Sequence, residues 1–199
     1  MSQLSNVSKI KFTGALRDLP VESKAILFDR TTSRDSAVRE ATARIVAQVR
    51  ERGDAALCEM GQMFDKAELK ALEVDREIWQ SALDRTEPAL RRAMERAATN
   101  IASVHRAFVP ELLEVEPEPG IRIARRPDPL DRVGVYAPGG RAAYPSSVLM
   151  GAVPARIAGV REIVLCSPPG RDGVPSQSVL AAAVRAPSCW LSLLVTMAP

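Results

Sequence analysis

Aromatic residues make up only 4% of the 199 positions, so any packed interior in this chain has to be aliphatic. Histidine is nearly missing: His105 stands alone, which strips most of the sequence of the commonest acid–base group and metal ligand. The three cysteines, Cys58, Cys166 and Cys189, form no close pair and no CxxC spacing. So scattered a set excludes a disulfide framework and a structural zinc module, and fits reduced thiols in a cytoplasmic protein. No apolar run reaches the roughly 18 residues of a membrane span, and MSQLSNVSKIKF lacks the apolar stretch of a secretory leader. Charge of one sign is also lacking. The net charge is +3, and arginines alternate with acidic residues rather than forming a basic stripe. That pattern predicts a solvated mixed surface and no nucleic-acid partner.

What is present is ordinary for a globular chain: 46% apolar and 26% charged residues, enough for one domain, or one domain with an arm. Residues 1–108 read as a helical arm. Val7–Phe12 alternates weakly like a strand. Ala37, Val38, Ala41, Ile45, Val46 and Val49 then share one helical face, with Thr32 or Ser33 as cap and Gly53 as stop. A second helix runs from Asp54 to about Phe64, and Asp75 caps a third through Ile78, Trp79, Ala82 and Leu83. The longest is expected over Glu87–Phe108, with Pro88 in its first turn and Leu90, Met94, Ala97, Ala98, Ile101 and Val104 inward. Residues 109–128 read as a bridging β-hairpin. Leu113–Glu116 and Ile121–Ala124 alternate with period two around Pro117–Gly120, acidic residues facing basic ones.

The organising stretch is Pro129–Pro169. Two short apolar runs, Val133–Tyr136 and Ile163–Cys166, flank a helical pattern of Val148, Leu149, Ala152, Val153 and Ile157. Strand, Gly-rich turn, helix and strand make a βαβ unit, whose ligands bind where loops leave the carboxyl ends of the strands. The turn holds Pro138, Gly139 and Gly140, and Ser146 and Ser147 are placed to cap the helix. The fold class is therefore α/β: an N-terminal helical arm and hairpin, then an incomplete Rossmann-like parallel βαβ domain over residues 129–183. Residues 184–199 read as an aberrant tail. Arg185–Trp190 breaks the helix begun at Pro175, the remaining run resembles no sheet strand, and two parallel strands make no viable domain.

Few residues offer chemistry. His105 has neighbours Asn100, Ser103 and Arg106, which form neither a metal set nor a triad, and it reads as a structural or surface residue. Ser146 and Ser147 lack a nucleophile elbow and a base. Glu111, Glu114, Glu116 and Glu118 read as a solvated face and Arg125–Arg126 as an exposed pair. The Pro138–Gly140 turn allows close backbone approach, and a helix start after it attracts anions, but it is neither GxGxxG nor a Walker loop. Tyr136, ending its strand, is placed to pack against a nucleotide, and a tyrosine at such a position is as often simply core.

RVGVYAPGGRAAYPSSVLMGAVPARIAGVREIVLCSPP resembles the central motif of histidinol dehydrogenases. VRERGDAALCEMGQMFD, NIASVHRAF and RRPDPLDRVGVY match as well, and the likeness covers roughly residues 30–183. It implies a cytoplasmic homodimer containing zinc that oxidises L-histidinol to L-histidine with two NAD, the last step of histidine biosynthesis. It implies one transferable cofactor contact, Tyr136 with NAD. Related small-alcohol dehydrogenases share the motif, so the substrate stays open. The family's zinc ligands and its Glu–His acid–base pair have no counterpart here, which assigns this chain no catalytic and no metal-binding residue and implies that it is inactive alone. After SVLAAA the likeness stops, and the expectation is a frameshift near Val184–Pro187. The alternatives are a non-catalytic remnant or an assembly partner.

Overall fold

In the computed structural model, residues 14–28, 36–139, 142–186 and 189–193 are described, the last group by backbone alone. The alternation at Val7–Phe12 and the caps at Thr32 and Ser33 lie outside them. The chain divides into two compact units, residues 1–47 and 48–199.

The first unit holds a single 3-10 turn, helix α1 (Val21–Phe28) and most of helix α2 (Ser36–Arg52). Gly53, at φ 57°, ends α2 as its sequence implies. The apolar stripe of α2 is not buried: Ala41, Ile45 and Val49 are half-buried, while Val38 and Val46 are exposed.

In the second unit, α3 (Asp54–Met60) is shorter than its pattern suggests. The chain passes into a π-type turn over Gly61–Asp65 and leaves it at Lys66, which takes the left-handed conformation. Helix α4 (Arg76–Asp84) buries Trp79, Ala82 and Leu83. Helix α5 (Pro88–Ala107) starts where Glu87 accepts hydrogen bonds from the Ala89 and Leu90 amides at 3.0 and 3.1 Å. Of its expected inward face Met94 is buried and Ala97, Ala98 and Ile101 are half-buried, whereas Leu90 and Val104 are exposed. Strands β1 (Leu113–Glu118) and β2 (Ile121–Arg125) form the anticipated hairpin, antiparallel with Val115 opposite Ile123. Its turn is fastened by the Gly120 amide donating to Glu116, and Glu114 pairs with Arg122. The register breaks between Val115 and Glu118, at Pro117, which has no amide to give to the ladder. Every residue of both strands is exposed.

The sheet proper has three parallel strands in the order β3 (Arg132–Tyr136), β4 (Glu162–Ser167) and β5 (Cys189–Leu193). Helix α6 (Pro145–Ile157) connects the first two and α7 (Gln177–Val184) the last two. Helix α6 packs on β3, β4 and α7, so the crossover helices share one face of the sheet. Over them lies a second helical layer, α4 on α7 and α5 on α6. Alternation decides which side chains face that pile: Ile163, Leu165 and Ser167 are buried, and Val164 and Cys166 only half-buried.

Secondary structure and core packing run across two of the boundaries that the sequence suggests. The segment read as an aberrant tail begins within α7 and contains β5, which pairs in register with β4, Ile163 opposite Cys189 and Ser167 opposite Leu193. Cys-Trp-Leu-Ser-Leu is a short apolar run with aromatic and aliphatic residues that suit a pleated surface, and the parallel sheet supplies its partner strand. The boundary drawn at residue 108 is likewise no boundary in the core. Val74, Trp79, Ala82, Leu83 and Met94 join Val148, Ile163, Leu165 and Val179 in one apolar cluster. Helical periodicity shows that a stripe must be covered, but not by what.

Candidate functional site

The carboxyl ends of β3 and β4 carry the loops that the sequence singles out. The ladder continues one step beyond Tyr136, where the Ala137 amide donates to the Cys166 carbonyl at 2.8 Å. Ala137 is fully buried and Pro138 and Gly139 are half-buried. A Cβ on Gly139 would lie 3.2 Å from Pro168 Cδ, so the β3–α6 and β4–α7 loops close tightly on one another. Gly140 lies outside the described residues. Helix α6 then begins at Pro145, after Tyr144 as N-cap, whose side chain makes no capping bond. Ser146 and Ser147 lie inside the first turn; the Ser147 amide donates to the Tyr144 carbonyl at 3.1 Å. The serines therefore do not cap the helix, because Pro145 takes N1 and moves the cap one place upstream. The helix start keeps its positive dipole end, where anionic groups are favoured.

Helix α6 lies close on the sheet because of Gly151. A Cβ there would sit 2.5 Å from Val135 Cγ1. Nothing in the sequence marks this residue, since Val148, Leu149, Ala152 and Val153 define the helix without it. Ser167 ends β4 on the covered face, and its buried Oγ has no hydrogen-bond partner. Beyond it the chain turns at Gly170–Gly173, with the Gly170 amide donating to the Val174 carbonyl at 2.7 Å. Gly173, at φ 80°, brings that turn against the Glu68 carbonyl.

Tyr136 lies on the opposite face of the sheet, 45% exposed, with Cys166 as its register partner. In the same row, a Cβ on Gly134 would meet nothing within 4 Å, so the surface over β3 is open there. Burial raises the Tyr136 phenol above its ordinary pKa, and the nearby Asp65 carboxylate adds to the effect. Burial alone pushes the Cys166 thiol up. Asp65 is the neighbour that sequence reading misses, since it comes from the π-type turn after α3 and only the fold brings it to β3.

The remaining candidates are not gathered here. His105 is exposed in the last turn of α5 and lines a small cavity with Pro129 and Ile157, at the amino ends of the strands. Glu114 and Glu116 are used inside the hairpin, Glu111, Glu118 and Arg125 are exposed, and Arg126 pairs with Asp128 at 3.1 Å. Cys58 is half-buried in α3. Among the described residues no three of His, Cys, Asp or Glu are grouped so as to hold a metal ion, and no helix is long and apolar enough to cross a membrane. The site thus offers a half-exposed phenol beside an open strand surface and a helix start without a side-chain cap. It can hold a flat ring and an anionic group, and it presents no histidine to move a proton.

The family model for histidinol dehydrogenase matches residues 28–187. A histidinol dehydrogenase of Ralstonia nicotianae is 46% identical over 159 residues, covering 76% of this chain and 36% of the relative. One of Oceanobacillus iheyensis is 40% identical over 153 residues, covering 77% and 36%. The crystal structure of histidinol dehydrogenase from Elizabethkingia anophelis superposes with a TM-score of 0.76 at 26% identity, covering 87% of this chain and 41% of that one. The chain spans a little over a third of the length of these curated relatives.

Proposed function

The chain belongs to the histidinol dehydrogenase family, an oxidoreductase family, and from that premise we propose that it forms the nucleotide-side part of an NAD-dependent oxidation of L-histidinol to L-histidine. The observation that carries this reading is Tyr136, half exposed at the carboxyl end of a parallel strand, where α/β sheets take their ligands. The residues present fit a dinucleotide. Tyr136 would support a flat ring, and the amides opening α6 would face an anionic group. When bound, NAD would supply the hydride acceptor. The chain's own residues do the holding: they orient the cofactor and keep water from one side of it.

Zinc does not fit these residues. The chain has one histidine, exposed and at the other end of the sheet, and no donor cluster among the described residues. No histidine stands at the site to take a proton from an alcohol. The proposed oxidation therefore needs acid–base and metal-binding residues that this chain does not supply, and these 199 residues bind NAD without turning over; the family's cytoplasmic homodimer belongs to the same proposal. The Rossmann-like reading of the sheet belongs to the same proposal. The alternative, a non-catalytic assembly partner, is favoured by the open face over Gly134.

Calorimetric titration with NAD separates the two. Binding is expected, and Tyr136→Ala should weaken it by about tenfold, the loss of roughly 1.4 kcal/mol that one aromatic contact supplies. With L-histidinol, zinc and NAD no NADH absorbance should appear. Absence of NAD binding would leave the assembly partner as the reading, and NADH production by this chain would overturn its proposed inactivity.

A further inference from the structure

The cavity at the amino ends of the strands has a chemistry of its own. It is a half-open cleft of about 280 Å³, just below the roughly 300–1,000 Å³ range of ligand pockets. Its walls are mostly apolar: Phe108, Pro127, Pro154 and Ile157, with His105 and Asp128 as the polar members. The elements behind the walls are unusual in combination. His105 and Phe108 belong to the last turn and C-cap of α5, and Pro154, Ile157 and Ala158 to the last turn and C-cap of α6. Two packed helices thus end side by side, each with roughly half a negative charge at its carboxyl terminus.

That pairing of like dipole ends is unfavourable unless positive charge lies nearby. Arg106 and Arg156 in the last turns supply some of it from exposed positions. Asp128 adds negative charge instead. Its Oδ2 accepts from Arg126 Nε at 3.1 Å, which leaves Oδ1 for another donor. An apolar cavity bounded by two helix carboxyl ends and one carboxylate suits a cation with an apolar body. A bare metal ion does not suit it, since a single carboxylate and one imidazole are too few hard donors.

We propose that this cavity binds a small organic monoammonium ion, its hydrocarbon part against Phe108 and the prolines and its ammonium group on Asp128. The site is separate from Tyr136, which lies at the opposite, carboxyl end of β3, and it does not depend on NAD binding.

Because His105 is the only histidine, its imidazole resonances report this cavity without assignment of the rest of the chain. In an NMR titration of the 199-residue chain, benzylammonium should shift those resonances saturably. Benzyl alcohol, of the same shape without the charge, should bind at least tenfold more weakly. Asp128→Asn should weaken benzylammonium by at least tenfold, and Arg126→Gln, which frees the carboxylate, should tighten it about threefold. Both residues are exposed, so neither variant threatens the fold. No shift with benzylammonium, equal binding of the alcohol, or affinity unchanged in Asp128→Asn would each overturn the proposal.

Discussion

Gly151 and Val135 show how much one hydrogen can decide. A methyl group at position 151 would stand 2.5 Å from Val135 Cγ1, and a β-branched side chain on a strand has few rotamers in which to move aside. Gly151→Ala should therefore cost about 1–3 kcal/mol of stability, the usual range for overpacking. Urea denaturation would measure it, and adding Val135→Ala should recover part of the loss; two independent, additive losses would disprove the contact. At this scale the sequence singles out Tyr136 but not Gly151, Asp65 or Ser167. Tyr136 announces itself by ending an apolar run before Ala-Pro-Gly-Gly. Gly151, Asp65 and Ser167 carry no such signal, because each acquires its meaning from a neighbour on another element: Val135, Tyr136, or the covering helices.

At the scale of elements, the periodic segments were the readable ones. The β1–β2 hairpin follows from period-two alternation and a Pro-Gly turn, and α5 from a long 3.6-residue stripe, which structure places at Leu113–Arg125 and Pro88–Ala107. β5 was not readable, because a five-residue run with four apolar members commits to a strand only when a partner strand is available. Helix α4 gives the clearest energetic statement. Trp79 is buried in the cluster that α4 shares with α7, and its indole N–H has no acceptor. What Trp79 contributes is apolar volume and a ring face under the Arg76 guanidinium, 5.7 Å from its centroid, both of which a phenyl ring partly keeps. Trp79→Ala should cost about 3–5 kcal/mol, whereas Trp79→Phe should cost far less, since no hydrogen bond is lost and an unpartnered donor is removed. Comparable losses in the two variants, measured by thermal or urea unfolding, would show that the indole N–H matters after all.

For the molecule as a whole, the open face of the sheet links site and stability. Tyr136 and Cys166 face each other in register there, and both have folded-state pKa values above their ordinary 10.0 and 9.0. Between its ordinary and its raised value each group keeps a proton in the folded chain that the unfolded chain has released. The folded state then binds more protons, so stability falls as pH rises. The contribution is fully present below about pH 9 and is lost above it, first through Cys166 and then through Tyr136. The urea midpoint should accordingly be level around neutral pH and decline in the alkaline range, and Cys166→Ala should delay the onset; a midpoint that rises with alkaline pH would contradict this. What the sequence by itself determined is the local grammar of the chain: where helices and the hairpin run, that β3, α6 and β4 form a parallel unit, and which family the motif resembles. Those features depend on neighbours a few residues apart, through backbone geometry and alternating burial. Only the tertiary structure decided that α4 and α5 join the core of the sheet, that β5 extends it, that Asp65 stands by Tyr136, and that α5 and α6 end together around Asp128. These are contacts between segments far apart in the chain, and their energies come from surfaces that do not exist until both segments are in place.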